Sequence, residues 1–227
     1  VFADHSMKRK RMKNENNNLV RFVCPFCFIG QAHLDTALEN FEHKDDVEIE
    51  YKSYLLMPDA EYQPGVSYYD FFAGKFGVPV EKAKEQLKQQ AETAKDSGVI
   101  MNHDIAKIAN TFNGHRAFQY AKENGKGTEF FKRFYAAHFT DGEVLSDADT
   151  IVRISEEIGL NGEEVRDVVE NEKNTDKVEQ DIGQAQQLGV QGVPFFLVND
   201  KYSISGAQPV ELFQQALNQI WEEEQNA

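Results

Sequence analysis

From residue 25 onward, Ile29, Leu34, Ala37, Leu38 and Phe41 recur at helical spacing, and the pattern predicts a helix. Over residues 47–55 the period changes to two, with Val47, Ile49 and Tyr51 alternating with Glu48, Glu50 and Lys52, so a strand is expected there. A first strand is expected ahead of the helix, over residues 19–23 or over residues 1–4. Strand, helix and strand then make a βαβ unit. The period-two signal disappears through the middle of the chain. A loop carrying Pro58 and Pro64 gives way to helical repeats beginning near Tyr68, after Pro79, at Thr111, at Thr128, after Ser146-Asp147, at Asn161 and at Thr175. Gly98, Gly125, Gly159 and Gly189 punctuate them as helix stops. Strands return with the apolar run over residues 193–198, the Asn199-Asp200 turn and residues 202–205. A closing helix carries Phe213, Ala216, Leu217 and Ile220 on one face. The order is therefore β-α-β, several helices, then β-β-α, an α/β fold interrupted by an all-helical insertion.

Residues 5–21 stand apart from this pattern. They hold Lys8-Arg9-Lys10-Arg11-Met12-Lys13 and then Asn16-Asn17-Asn18. Such a run suits a nucleic-acid or nuclear-import patch, but a solvated segment foreign to the core accounts for it more simply. The net charge of −14 argues against binding to nucleic acid or anionic membrane, since phosphate would be repelled. A hydrophobic share of 41% with 17 Phe is enough for a core without disulfide staples. Neither an apolar run of membrane-spanning length nor a secretory h-region is present, and a cytoplasmic protein is expected.

Against that background the two cysteines matter. Cys24 and Cys27 are the only ones in the chain and stand in C-x-x-C spacing. Pro25 suits the first turn of a helix, where its missing N–H has no intrahelical partner to lose. Cys24 therefore falls at a helix N-terminus, where unpaired N–H groups favour a thiolate, the nucleophilic form. Cys27 lies one turn on, close enough to close a small disulfide ring with it. Zinc is the competing use, but a zinc site needs four ligands, and neither a second Cys pair nor a close His pair exists. The pattern points to a redox pair, with no metal and no cofactor. Pro194 opens a buried strand to which it cannot donate, either as an ordinary trans strand-start residue or as a functional cis proline. His115, beside Arg116, is a third candidate that also suits a structural role. His138 reads as core, the aromatic cluster over residues 68–76 as packing or as an apolar lid, and the acidic residues as mostly solvated surface.

Three stretches together resemble the DsbA-like thiol oxidoreductases, most closely their FrnE-like branch: Cys24-Pro25-Phe26-Cys27-Phe28-Ile29-Gly30, Gly189-Val190-Gln191-Gly192-Val193-Pro194-Phe195-Phe196, and Ile204-Ser205-Gly206-Ala207-Gln208. The resemblance spans about residues 22–222 and takes in Asn110-Thr111-Phe112 and His115-Arg116. It implies a thioredoxin-like fold, with residues 22–56 and 189–227 forming the thioredoxin-like domain, 57–188 the helical insertion and 1–21 a basic segment outside the core. It further implies a nucleophilic Cys24, a resolving Cys27, a cis peptide before Pro194 and a Val193 backbone that binds substrate in extended form. Phe26 and His115 complete the expected substrate-binding set. Two departures stand out: family members commonly carry Trp where this chain has Phe26, and Asp where it has Arg21. Joining Asp4 directly to Phe22 would restore the latter pattern, so residues 5–21 are expected to be foreign to it.

The function these features imply is thiol–disulfide exchange, as reductase, isomerase or oxidase. Two other readings stay open. One is a glutathione-dependent isomerase or transferase of the 2-hydroxychromene-2-carboxylate isomerase type, although those relatives usually place Ser where this chain has a cysteine. The other is a chaperone-like binding module. Expected partners are protein or small-molecule thiols and disulfides, glutathione among them, with a homodimer left open. Pro25-Phe26 supplies no cation to hold a thiolate, so a pair suited to reduction or isomerisation is expected.

Overall fold

The structure, a computed structural model, describes residues 16–20, 22–55, 57–190 and 192–226, with backbone alone for 16–20. Its sheet has four strands, β1 (Asn16–Val20), β2 (Ile49–Ser53), β3 (Phe195–Val198) and β4 (Tyr202–Ser205), in the order β2-β1-β3-β4. β1 runs parallel to β2, with Asn16 opposite Ile49 and Val20 opposite Ser53, and antiparallel to β3, with Leu19 opposite Phe195. β3 and β4 form the expected hairpin, and Asn199 and Asp200 both take positive φ, 52° and 54°, as a tight hairpin turn asks.

The first strand is a correction. Residues 16–20 belong to the basic segment expected outside the core, yet they occupy an interior position of the sheet. Ladder pairing uses backbone N–H and C=O groups, so an Asn-rich stretch can pair without an apolar pattern to announce it. The alternative first strand over residues 1–4, the rest of that segment to residue 15, and Arg21 lie outside the described residues.

Helix α1 (Pro25–Glu39) follows β1, and α9 (Val210–Gln225) closes the chain. Leu34 and Ala37 of α1 meet Phe213 and Leu217 of α9 over Phe196 of β3, in one apolar layer. The insertion supplies α2 (Tyr68–Phe76), α3 (Val80–Asp96), α4 (Phe112–Glu123), α5 (Gly127–Phe139), α6 (Ala148–Glu157), α7 (Gly162–Glu170) and α8 (Thr175–Gln187). Several helix starts carry side-chain caps. Ser67 accepts from the Asp70 N–H, Asp147 from Thr150, and Asn161 from Glu163 and Glu164. Thr128 does not cap α5, which begins one residue earlier, at Gly127.

A larger core joins the insertion to the start of α1. Phe22, just before the cysteines, packs its ring 4.5 Å from that of Phe134 and 5.6 Å from that of Phe118. Gly114 makes this crowding possible, because a Cβ there would lie 2.3 Å from the Phe134 ring. A polar clamp adds to it. The buried Asp181 carboxylate on α8 accepts from the Ser53 N–H at 2.8 Å and from Gln119 Nε2 at 2.6 Å, tying α8 and α4 to the end of β2. Asp181 is thus an exception to the solvated surface expected of the acidic residues. Among the described residues no helix is long and apolar enough to cross a membrane.

Candidate active site

Cys24 is the N-cap of α1, with extended backbone (φ −99°, ψ 112°), and Pro25 occupies the first turn. Its carbonyl accepts from the N–H groups of Cys27 and Phe28 at 3.1 and 3.4 Å, so the helix starts where Pro25 predicts. The positive end of the helix faces Cys24 and favours negative charge there. Both cysteines are buried, at 7% and 3% exposure, whereas Phe26 between them is 53% exposed. The pair is thus set into the surface beneath a projecting aromatic ring.

The second half of the site arrives from the far end of the sequence. The Val193–Pro194 peptide bond is cis. The Pro194 carbonyl accepts from the Gly206 N–H at 2.8 Å, which fixes this loop to the segment after β4. Gly30, two turns into α1, lets the loop in: a Cβ there would lie 3.1 Å from Pro194 Cγ and 3.4 Å from Ala207 Cα. Val193 and Ala207 pack against the apolar cluster that contains Cys24 and Cys27. His33, further along α1, holds the same segment. Its Nδ1 donates to the Gln208 carbonyl at 2.7 Å, and its Nε2 pairs with Ser97 Oγ at 2.7 Å.

Of the residues singled out from sequence, Cys24, Phe26, Cys27, Val193 and Pro194 therefore gather around the start of α1. His115 does not join them at the surface. It is fully buried with its ring 4.3 Å from Phe22, neither ring nitrogen has a hydrogen-bond partner, and desolvation pushes its pKa down to about 3. His138 lies in the core, as expected, against Phe139.

Two tyrosines from the insertion flank the pair, Tyr135, which sequence reading passed over, and Tyr68, read there only as part of the aromatic cluster over residues 68–76. The Tyr135 hydroxyl is hydrogen-bonded to Cys27. Burial, then the charges of Cys27 and Cys24, hold its ionisation well above the usual phenol range. Tyr68 is raised as well, by burial and then by the charge of Cys24. Both phenols stay protonated next to the cysteine pair. Spacing could not have found them, since each reaches the site only through the packing of α2 and α5.

Beside the pair opens a cavity of about 540 Å³. Phe26 and Ile29 of α1, Phe72 and Phe76 of α2 and the α3 face bearing Leu87 line it. Two aromatic residues of the cluster over 68–76 thus reach the site as an apolar wall. No three His, Cys, Asp or Glu side chains stand together as a metal site would need, among the described residues.

Comparison with known proteins agrees with this geometry. Residues 20–218 match the model of the DSBA-like thioredoxin domain. The protein YwbO of Bacillus subtilis is 27% identical over 202 residues, covering 87% of this chain and 92% of that one. The crystal structure of a probable DsbA oxidoreductase from Streptomyces coelicolor superposes with a TM-score of 0.86 at 33% identity, over 92% of this chain and 90% of that one. At 15% identity, the cytosolic disulfide reductase DsbM of Pseudomonas aeruginosa, solved with GSH, shares the fold with a TM-score of 0.63, over 91% of this chain and 98% of that one. The chain belongs to the DsbA-like thioredoxin domain family, and its enzyme class is that of the thiol–disulfide oxidoreductases.

Proposed function

We propose that this chain exchanges disulfides through Cys24 and Cys27, working in the direction of reduction or isomerisation. The Cys24 thiolate attacks one sulfur of a substrate disulfide, forming a Cys24–substrate mixed disulfide and expelling the other sulfur as a thiolate. Cys27, deprotonated, then attacks Cys24 Sγ, closing the Cys24–Cys27 disulfide and releasing the second substrate sulfur. Two electrons pass from the dithiol to the substrate, and an external dithiol returns them. In isomerisation the expelled substrate thiolate attacks a sulfur of another substrate disulfide, and the thiolate this frees attacks the substrate sulfur bound to Cys24, expelling Cys24 as a thiolate, so that no net electrons move.

The observation that supports this reading is the seating of the Pro194 loop on α1 at Gly30, one turn beyond Cys27, with Val193 packed against the apolar cluster that holds both cysteines. In this reading the Val193 backbone holds an extended substrate chain, Pro194 shapes that loop, and Phe26 offers its exposed ring. His115 packs Phe22, which leads into Cys24, and touches no substrate. Residues 22–56 and 189–227, joined by β1 from the segment before them, supply the redox body and 57–188 the insertion that walls it. A cytoplasmic setting, where thiols are kept reduced, suits this direction.

The test is insulin reduction with dithiothreitol as the dithiol. Wild-type protein accelerates it and Cys24→Ala abolishes the acceleration, while Cys27→Ala accumulates a mixed disulfide visible as added mass. Undiminished turnover by Cys24→Ala overturns the proposal.

A further inference from the structure

We infer that His33 is a positioning residue for disulfide exchange: it grips the Gln208 carbonyl from α1 and so fixes where the Pro194 loop stands relative to the cysteine pair. The inference rests on the thiol–disulfide reading above, since the loop that His33 fixes is the one to which that reading gives the substrate chain.

A short series of hydrogen bonds carries any displacement of His33 to Pro194. His33 Nδ1 lies 2.7 Å from the Gln208 carbonyl oxygen, and since a carbonyl only accepts, Nδ1 bears the proton. Gln208 is itself knitted into a closed turn. Its N–H donates to the Gly206 carbonyl at 3.0 Å and its Nε2 to the Ser205 carbonyl at 2.7 Å. Gly206, whose φ of 84° suits glycine, then donates its N–H to the Pro194 carbonyl at 2.8 Å. The pairing of β3 with β4 ends at Phe195 opposite Ser205. Pro194 therefore lies beyond the ladder, and this turn is what ties its carbonyl down.

The geometry on α1 makes the grip directional. Gly30 and His33 stand three residues apart, on one face of the helix. Gly30 sets how closely the loop approaches, since a Cβ there would lie 3.1 Å from Pro194 Cγ. Such a contact resists compression but lets the loop slide along the helix. The hydrogen bond from His33 resists sliding, because it weakens steeply with misalignment. Nor is the ring free to swing away. Its Nε2 is held 2.7 Å from the hydroxyl of Ser97, the residue that ends α3. In the neutral ring Nε2 accepts that hydroxyl proton, because Nδ1 already carries the other one. One imidazole thus joins the redox helix, the turn behind Pro194 and the insertion.

Three variants separate the two nitrogens. Asn places an amide about where Nδ1 stands, Gln about where Nε2 stands, and Ala removes both while favouring the helix. Each is assayed with dithiothreitol on insulin, a polypeptide disulfide, and on hydroxyethyl disulfide, which has no chain for the loop to hold. His33→Ala and His33→Gln should lower kcat/KM for insulin by roughly tenfold and leave hydroxyethyl disulfide unchanged. His33→Asn, which keeps the bond to Gln208, should recover most of the insulin rate. General destabilisation would slow both substrates alike. Hydrogen exchange of the Gly206 N–H, followed by NMR, reads the loop without turnover. It should quicken by about twofold to tenfold in His33→Ala and His33→Gln and return toward wild type in His33→Asn. Equal losses on both substrates, no recovery in His33→Asn, or a Gly206 N–H indifferent to all three variants overturns the assignment. If wild-type protein reduces neither substrate, the oxidoreductase reading falls, and the Gly206 exchange pattern alone upholds or sinks the grip of His33 on the loop.

Discussion

Gly30 and Pro194 meet across the two halves of the redox body: a Cβ added to Gly30 would stand 3.1 Å from Pro194 Cγ. Gly30→Ala sets two effects against each other. Helix propensity favours Ala by about 1 kcal/mol, while pushing the Pro194 loop, Phe196 and Ala207 outward costs about 1–3 kcal/mol. Stability should therefore change little. The loop's position should change more, and misplacement by a few tenths of an ångström should lower insulin-reduction kcat/KM by roughly tenfold. Thermal unfolding and turnover of the same sample check this. An unaltered rate with a displaced loop would separate the seat from the chemistry.

Acid should unfold this protein early. His103, His115 and His138 are buried, and desolvation lowers their pKa values to about 4, about 3 and about 3 from the ordinary 6.5. Below about pH 6.5 the unfolded chain takes up protons that the folded chain refuses. The stability of these groups is complete above that pH and falls as pH drops, by about 1.4 kcal/mol per pH unit for each histidine. His115→Leu should flatten the slope of unfolding free energy against pH by one histidine's share between about pH 6 and about pH 4. It should also raise stability there, since it removes two buried nitrogens without partners. Urea titrations across that range measure both. An unchanged slope would mean that His115 takes its proton in the fold.

Removing the Asp181 carboxylate should loosen the insertion from the sheet. Asp181→Ala takes the acceptor from the Ser53 N–H, leaves the Gln119 amide with Ser53 Oγ at 3.0 Å, and removes a carboxylate 3.8 Å from Lys52 Nζ, which keeps Glu50 at 2.8 Å. The expected loss is about 1–3 kcal/mol by urea unfolding. Asp181→Asn keeps an acceptor and should lose less. Equal losses would show that charge alone matters.

What could be read in the chain depended on how local each signal was. Cys24, Pro25 and Cys27 announce a redox helix because the geometry lies within one turn. The apolar run ending at Val198 announces a buried strand by its own pattern. β1 was legible only at its end, within the strand expected over residues 19–23, since Asn16, Asn17 and Asn18, whose backbone pairs with β2, carry no such pattern. Asp181, Tyr135 and Gln90 were unreadable for another reason. Each sits on a helix of the insertion, and its neighbours in space are Ser53, Cys27 and the cavity beside Phe26. Only the packing of α8, α5 and α3 against the redox body assigns those neighbours. His115 was over-read, because a histidine beside the motifs looks functional until its burial against Phe22 is seen.

The redox poise should depend on Tyr135. Its hydroxyl donates to Cys27, and the bond is strongest when that sulfur is a thiolate, so it favours the dithiol over the disulfide. A hydrogen bond to a charged group contributes about 1.5–3 kcal/mol, and about 1.4 kcal/mol corresponds to about 30 mV for a two-electron couple. Tyr135→Phe should therefore lower the reduction potential by roughly 30–60 mV, making the pair more reducing. The ring contacts to Phe28 at 4.9 Å and Phe139 at 6.1 Å survive the change, so the fold should persist. Equilibration against glutathione redox buffers, read by thiol alkylation, gives both potentials. With no cation in Pro25-Phe26, the wild-type value should fall near ~ −200 mV or below, and Tyr135→Phe beneath it. A wild-type value near ~ −120 mV would instead mark a strongly stabilised dithiol and make the chain a donor of disulfides. An unmoved potential in Tyr135→Phe would leave the helix N-terminus alone to set the poise.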